Sequence, residues 1–214
     1  MIRQFAKKAL RKIAVRTLNM EFDVQEREEQ GDARPPFDPT KIPKVVDGSG
    51  DTPGPNHKSD IGRTWLSAQM SGGVQPFLID VRPPNEVVSG IVPSATLLPG
   101  QTIFNKMNLL PKDKSQRVVV YDQTGELGSA GVAAALREQG WTMTRRLVGG
   151  FAEWIEWNEE IRIPPKLTDS SVQIGDNIIL PDKRRAYVFS TSKEPELWNE
   201  QEGYLGLYAD HFSS

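Results

Sequence analysis

Asp122 closes the run Val118-Val119-Val120-Tyr121 and opens a loop, Gln123-Thr124-Gly125-Glu126-Leu127-Gly128, that leads into an alanine-rich helix. Where a buried strand gives way to a helix, the free N–H groups of the first helical turn form a cradle suited to an anion or an activated nucleophile. The residue placed for that work is a carboxylate rather than a thiol. A strand-end aspartate can form an acyl-phosphate, or bind Mg²⁺ together with a second carboxylate such as Asp80 or Glu126. Chemistry of that kind wants a matched base, lysine or arginine in the same loop, and this loop has none. The plainer reading is that Asp122 accepts hydrogen bonds from the loop N–H groups as an internal cap, while Asp80 holds Arg82.

The 214-residue chain contains no cysteine. Disulfides, zinc-thiolate sites and any thiol or persulfide mechanism supplied by the chain itself are thereby excluded. Its only histidines are His57, in a polar stretch, and His211 near the end. Neither has a second ligand beside it, so no metal site and no cofactor are assigned. With 26 basic against 28 acidic residues, bulk charge does not point to nucleic acid, and no basic-aromatic surface pattern appears. No apolar run approaches the roughly 20 residues that cross a bilayer, and no apolar stretch follows the basic start as in a secretory signal. The expected location is the cytoplasm, with peripheral membrane contact as an addition considered below.

The elements that must position Asp122 are legible around it. Residues 61–70, IGRTWLSAQM, suit a short helix; PFLIDV suits a buried strand; PPNEVVSG suits a turn and short helix ended by Gly90; ATLLPG suits another strand. A helical stretch is expected around Phe104 to Leu110. Arg117-Val118-Val119-Val120-Tyr121 is too uniformly apolar for a one-faced strand and belongs mid-sheet, covered on both faces. A helix from Ser129 to Gln139, stopped by Gly140, a strand in TRRLV and a helix in FAEWIEWN complete the alternation. The fold class is α/β, with a parallel sheet, right-handed crossovers and a site at the carboxyl ends of the strands, where Asp80 and Asp122 both fall.

Four blocks, FLIDVRPPNEVVSGIVPSA, VVVYDQTG, SAGVAAALREQGW and LVGGFAEW, resemble the rhodanese (sulfurtransferase) domain in that family's order and spacing. The resemblance covers Ile61 to Trp157, and its most specific parts are Ile79 to Arg82 with Glu86 and Gly90, then Leu147, Gly149, Gly150 and Trp154. It implies a rhodanese-like parallel sheet with helices on both faces. It also implies that Asp122 stands where active members hold their cysteine, which loop N–H groups and the helix N-terminus activate. Active members commonly add an arginine to that loop. Here a second acid, Glu126, takes part instead, and Ser89 to Ala95 lacks the histidine usual in the family's corresponding turn. The resemblance is therefore to the non-catalytic type of the domain, with no sulfur transfer expected. Its pocket would consist of Asp80, Arg82, Asp122, Gln123, Thr124, Gly125 and Glu126.

The domain organisation expected is a cationic amphipathic helix over 1–20, a Pro/Gly-rich arm or linker over 21–60, the rhodanese-like domain over 61–163, and an extension over 164–214. In the first segment Ile2, Phe5 and Leu10 fall on one helical face, and Lys8, Arg11 and Lys12 largely on the other. Such a helix suits an anionic membrane surface, an acidic protein partner, an organellar transit peptide, or packing on its own domain. The last segment suggests a small hairpin around Asp182-Lys183, followed by Trp198, Tyr204, Tyr208 and Phe212. These either pack back on the core or anchor a partner. The function expected is that of a binding module or structural subunit in a larger complex, not an enzyme. The alternative is a small-ligand or metal sensor built on the Asp122 pocket.

Overall fold

The computed structural model describes residues 59–73 and 75–212. The expected amphipathic helix with Ile2, Phe5, Lys8, Leu10, Arg11 and Lys12, the arm up to residue 58 and His57 lie outside the described residues.

Five parallel strands form the central sheet: β1 (Asp60–Ile61), β2 (Phe77–Asp80), β3 (Thr96–Leu97), β4 (Val118–Tyr121) and β5 (Thr144–Leu147), in the order β1-β5-β4-β2-β3. The helices are α1 (Arg63–Ser71), α2 (Leu127–Glu138) and α3 (Gly150–Glu156). The uniformly apolar β4 lies in the middle, as its composition requires. Successive side chains of a strand point to opposite faces. Val119 and Tyr121 join Trp65, Leu66, Phe151 and Trp154 on the face covered by α1 and α3. Val118 and Val120 join Ala133, Leu136 and Trp141 on the face covered by α2.

Two expectations need correction here. Strand β1 falls where an arm ending at residue 60 and a helix starting at Ile61 were expected. Its two residues are too few to show a period, and it is held by tertiary contacts: Ile61 is buried, and Arg146 Nη2 reaches Asp60 Oδ2 at 2.8 Å. The stretch from Phe104 to Leu110 is not one helix either. Two short 3-10 turns, Gly100–Phe104 and Met107–Leu109, occupy it. Pro111 favours an extended residue before it, and Leu110 is extended at φ −71°, ψ 155°.

Beyond the last helix the chain builds a second, antiparallel sheet from β6 (Asn177–Ile179), β7 (Arg185–Phe189), β8 (Glu196–Asn199) and β9 (Gly203–Leu207), followed by α4 (Tyr208–Phe212). The hairpin expected around Asp182-Lys183 joins β6 to β7, with Ile179 opposite Arg185 and Lys183 at φ 71° in the turn. This sheet packs against the β3 side of the parallel one: Val87, Ile91 and Leu97 share a core with Ile174, Phe189 and Trp198. An ion pair from Lys106 to the buried Glu196 crosses the same junction, with Lys106 Nζ 4.5 Å from the centre of the Tyr204 ring. Burial works against the Lys106 ammonium, but the Glu196 carboxylate and the Tyr204 hydroxyl outweigh it and raise its pKa above the ordinary lysine value.

Trp198 is therefore withdrawn as a partner contact. It is 6 % exposed, lying against Gly100 and Tyr187 inside the protein's own core. Tyr204 is half-buried, edge-on to Phe189. Tyr208 and Phe212 stack on each other with ring centres 4.6 Å apart, and Phe212 keeps 39 % of its surface exposed.

Candidate functional site

Strand β4 delivers Asp122 to the mouth of α2, and the loop then folds back around its carboxylate. Oδ1 accepts the N–H groups of Thr124 at 3.2 Å and Gly125 at 2.5 Å, and Oδ2 accepts the N–H of Ser129 at 2.8 Å. The side chain thus fills the cradle from inside. Glu126, in the N-cap position of α2, makes no side-chain cap bond, so Asp122 supplies the acceptor that a capping residue ordinarily gives.

The loop is clamped from the opposite side by the first turn of α3. Phe151 N–H donates to Asp122 C=O at 3.0 Å, and Ala152 N–H donates to Gln123 C=O at 2.8 Å. The approach is so close that a Cβ on Gly125 would stand 2.3 Å from Leu147 O, and one on Gly150 2.5 Å from Asp122 O. Gly125 and Gly150 also have φ of +73° and +55°, a region that side chains disfavour. Both glycines are therefore required by the loop's position against backbone.

Beneath the loop lies a buried ion pair. Arg82 and Asp80 are both fully buried. Arg82 Nη2 donates to Asp80 Oδ2 at 2.7 Å, and Nε donates to Oδ1 at 3.0 Å. Nη2 also donates to Gly90 C=O at 2.7 Å, and Nη1 donates to Gln123 Oε1 at 3.2 Å. The guanidinium carbon sits 3.8 Å from the centre of the Phe151 ring, close enough for a cation–π contact. Arg82 therefore joins β2, the Gly90 turn, the Asp122 loop and α3. Beside it the Tyr121 hydroxyl accepts the N–H of Val92 at 3.1 Å. Burial first, and the Asp80 charge second, push that hydroxyl's pKa well above the ordinary tyrosine value.

Of the residues singled out from the sequence, Asp80, Arg82 and Gln123 form one hydrogen-bonded set and Asp122 and Gly125 a second, the two meeting where Asp122 and Gln123 adjoin in the chain. Thr124 contributes only its backbone N–H, and both Thr124 and Glu126 are exposed. Asp80 is committed to Arg82, and both carboxylate oxygens of Asp122 are committed to backbone N–H groups. No group of three His, Asp or Glu side chains able to hold a metal occurs among the described residues. The sequence reading missed Tyr121, Phe151 and the Ser129 N–H. For Phe151 a signal existed, an aromatic residue directly after the Gly149-Gly150 turn, but its place over Arg82 depends on tertiary structure.

The model of the rhodanese-like domain matches residues 63–156. A protein named sulfurtransferase from Allochromatium vinosum is 32 % identical over 96 residues, spanning 45 % of this chain and 87 % of that protein. The chain belongs to the rhodanese-like family. Among solved structures, a rhodanese-like domain protein from Staphylococcus aureus is similar with 24 % identity and a TM-score of 0.43, covering 50 % of this chain and 99 % of that one. A rhodanese-related protein from Thermoplasma volcanium is similar with 22 % identity and a TM-score of 0.43, covering 49 % and 98 %. Within the rhodanese-like domain, the chain offers no thiol for sulfur transfer, consistent with a catalytically inactive type. No helix among the described residues is long and apolar enough to cross a membrane.

Proposed function

We propose that this chain is a non-catalytic rhodanese-like protein that serves as a protein-binding module or structural subunit of a larger complex. One observation carries the reading: both carboxylate oxygens of Asp122 already accept the N–H groups of the loop and of α2. An incoming thiosulfate would meet a negative charge seated on those donors, and a carboxylate cannot carry sulfane sulfur. The scaffold of the site is nevertheless intact, with its buried Asp80–Arg82 pair and its glycine clamp. A scaffold retained without its nucleophile is useful for shape and surface, and the second sheet enlarges that surface. Attachment to an anionic membrane through residues 1–20 belongs to the same proposal.

The direct test is to incubate the pure full-length protein with thiosulfate or mercaptopyruvate in the presence of cyanide. No thiocyanate above the protein-free rate is expected; steady, protein-dependent thiocyanate formation overturns the reading. Native-scale purification of the tagged protein from mildly solubilised cells should recover stoichiometric companions. Vesicles containing anionic lipid should float the full chain but not a chain lacking residues 1–20.

A further inference from the structure

Residues 90–92 stand between the Asp122 site and the second sheet, and each of the three is committed. Gly90 C=O accepts Arg82 Nη2 at 2.7 Å, and Arg82 Nη1 goes on to Gln123 in the Asp122 loop. The Val92 N–H donates at 3.1 Å to the hydroxyl of Tyr121, the residue directly before Asp122. The Val92 side chain lies in the core that holds Trp65, Tyr121 and Phe151. Ile91 belongs to the other core, buried with Val87, Leu97, Ile174, Phe189 and Trp198. Phe189 and Trp198 are residues of β7 and β8. One short segment thus packs into both cores and bonds to the end of β4 and to Arg82.

The turn before this segment is braced from the same direction. A Cβ on Gly175 would stand 2.4 Å from Val88 Cγ1 and 3.1 Å from Pro84 O, so the chain entering the second sheet lies directly on the turn at 84–88. The Gly175 N–H donates to Val188 C=O at 2.8 Å, which ties that contact to β7. Ile91 N–H and C=O both bond to Arg162, at 2.8 and 2.9 Å. Close-packed interiors transmit strain, and energetic coupling is carried by packed side chains joined to hydrogen-bond networks. A shift of Ile91 toward space opened beside Phe189 or Ile174 therefore carries Gly90 C=O and Val92 N–H with it.

We infer that the second sheet sets the shape of the Asp122 loop through Ile91, so that whatever tightens or loosens this sheet alters how the loop holds its carboxylate. The device lies within the chain and needs no partner, so it stands or falls separately from the binding-module reading. It is tested on the full-length protein by amide hydrogen exchange, resolved residue by residue by NMR. Phe189→Leu and Ile174→Ala thin the shared core from the second-sheet side without touching a residue of the site. Leu180→Ala is the control: Leu180 is buried in the other core of this sheet, with Val172, Ala186 and Val188, and its truncation shows what a general loss of stability does.

The N–H groups of Gly125 and Ser129, both bonded to Asp122, should exchange at least about tenfold faster in Phe189→Leu and in Ile174→Ala than in Leu180→Ala, because local opening at the loop is made easier only by the first two. A rate in either of them that matches the control or the wild type overturns the support by the second sheet. Should the larger truncations abolish folding, Ile174→Val against Leu180→Val makes the same comparison, with a rise of at least about threefold expected. Equal rates in that pair overturn the inference likewise.

Discussion

Arg82 Nη1 meets Gln123 Oε1 at 3.2 Å, so the buried ion pair at the end of β2 is tied directly to the loop that in a catalytic relative would carry the nucleophile. The pair is expensive to break. Removing one partner of a buried ion pair typically costs about 3 to 5 kcal/mol, because the other charge stays buried without compensation. Arg82→Met should lower the stability measured by urea unfolding by about that amount. Arg82→Lys should recover only part of it, since an ammonium cannot reach Asp80, Gly90 and Gln123 in one planar fork. A near-neutral Arg82→Met would show that the pair does not organise the site.

Asp122 acts as the cap of α2 from four residues before the N-cap position. Asp122→Ala leaves three N–H groups without their acceptor and should cost about 1 to 2 kcal/mol. Asp122→Asn, which keeps one acceptor oxygen, should cost less. Equal losses for the two variants in urea unfolding would argue against capping by the carboxylate oxygens.

The same donors make a stronger test in Asp122→Cys. A thiolate placed there would meet the N–H groups of Thr124, Gly125 and Ser129 and the positive end of α2. Its pKa should fall below the ordinary thiol value of about 8.5, followed by thiolate absorbance near 240 nm against pH. An unshifted thiol would mean that the cradle does not form around sulfur.

Alkaline pH should destabilise the fold in a defined window. Tyr121 holds its proton in the folded state well above the ordinary value, and Tyr204 and Lys106 are also raised. Unfolded chains therefore lose these protons first, near pH 10, and the native state binds more protons than the unfolded one above that point. Stability contributed by these groups is fully present at neutral pH and declines as pH rises past about 10. Tyr121→Phe should flatten part of that decline, although it costs about 1 to 3 kcal/mol throughout by leaving the Val92 N–H unpaired. Urea midpoints between pH 8 and 11 read both effects; a Tyr121→Phe profile parallel to the wild type would exclude the hydroxyl as a source.

Gly125→Ala drives a methyl group into the backbone of Leu147 and Gly149 at a positive φ. Loss of the native loop, seen as at least about 3 kcal/mol in urea unfolding or as insoluble protein, is expected. Gly73 has a φ of +75° but no atom within 4 Å of an added Cβ. Gly73→Ala should therefore cost only about 1 kcal/mol. Similar effects at the two positions would mean that the close approach around Gly125 is not a constraint.

Much of the parallel sheet was legible because its strands are strongly patterned. The Val118 to Tyr121 run announces a central strand by having no polar face, and Gly140 and Gly149-Gly150 mark their turns. Strand β1 escaped because two residues show no period and its stability comes from Ile61 burial and the Asp60–Arg146 pair. Strands β8 and β9 escaped for another reason. All four residues of β8 are buried, including Glu196 and Asn199, whose types suggest a solvent face; Thr191 bonds Glu196 from the preceding loop, but the Lys106 charge that pairs with it comes from 90 residues earlier in the chain. At the site, the Asp80–Arg82 pairing could be read from two residues spaced to turn on one another. The stacking of Arg82 on Phe151 could not, because it is made by segments 69 positions apart that only the finished fold brings together.

The core shared by Val87, Ile91, Leu97, Ile174, Phe189 and Trp198 separates two notions of a unit in this protein. The part that corresponds to the family stops near residue 156, yet Leu97 and Ile91 gain their cover from strands that begin some twenty residues later. A chain cut after 163 would keep every residue of the family signature and still leave an oily flank open to water. What is inherited as a recognisable module and what must melt together are of different lengths here, and the longer one governs how the protein can be divided.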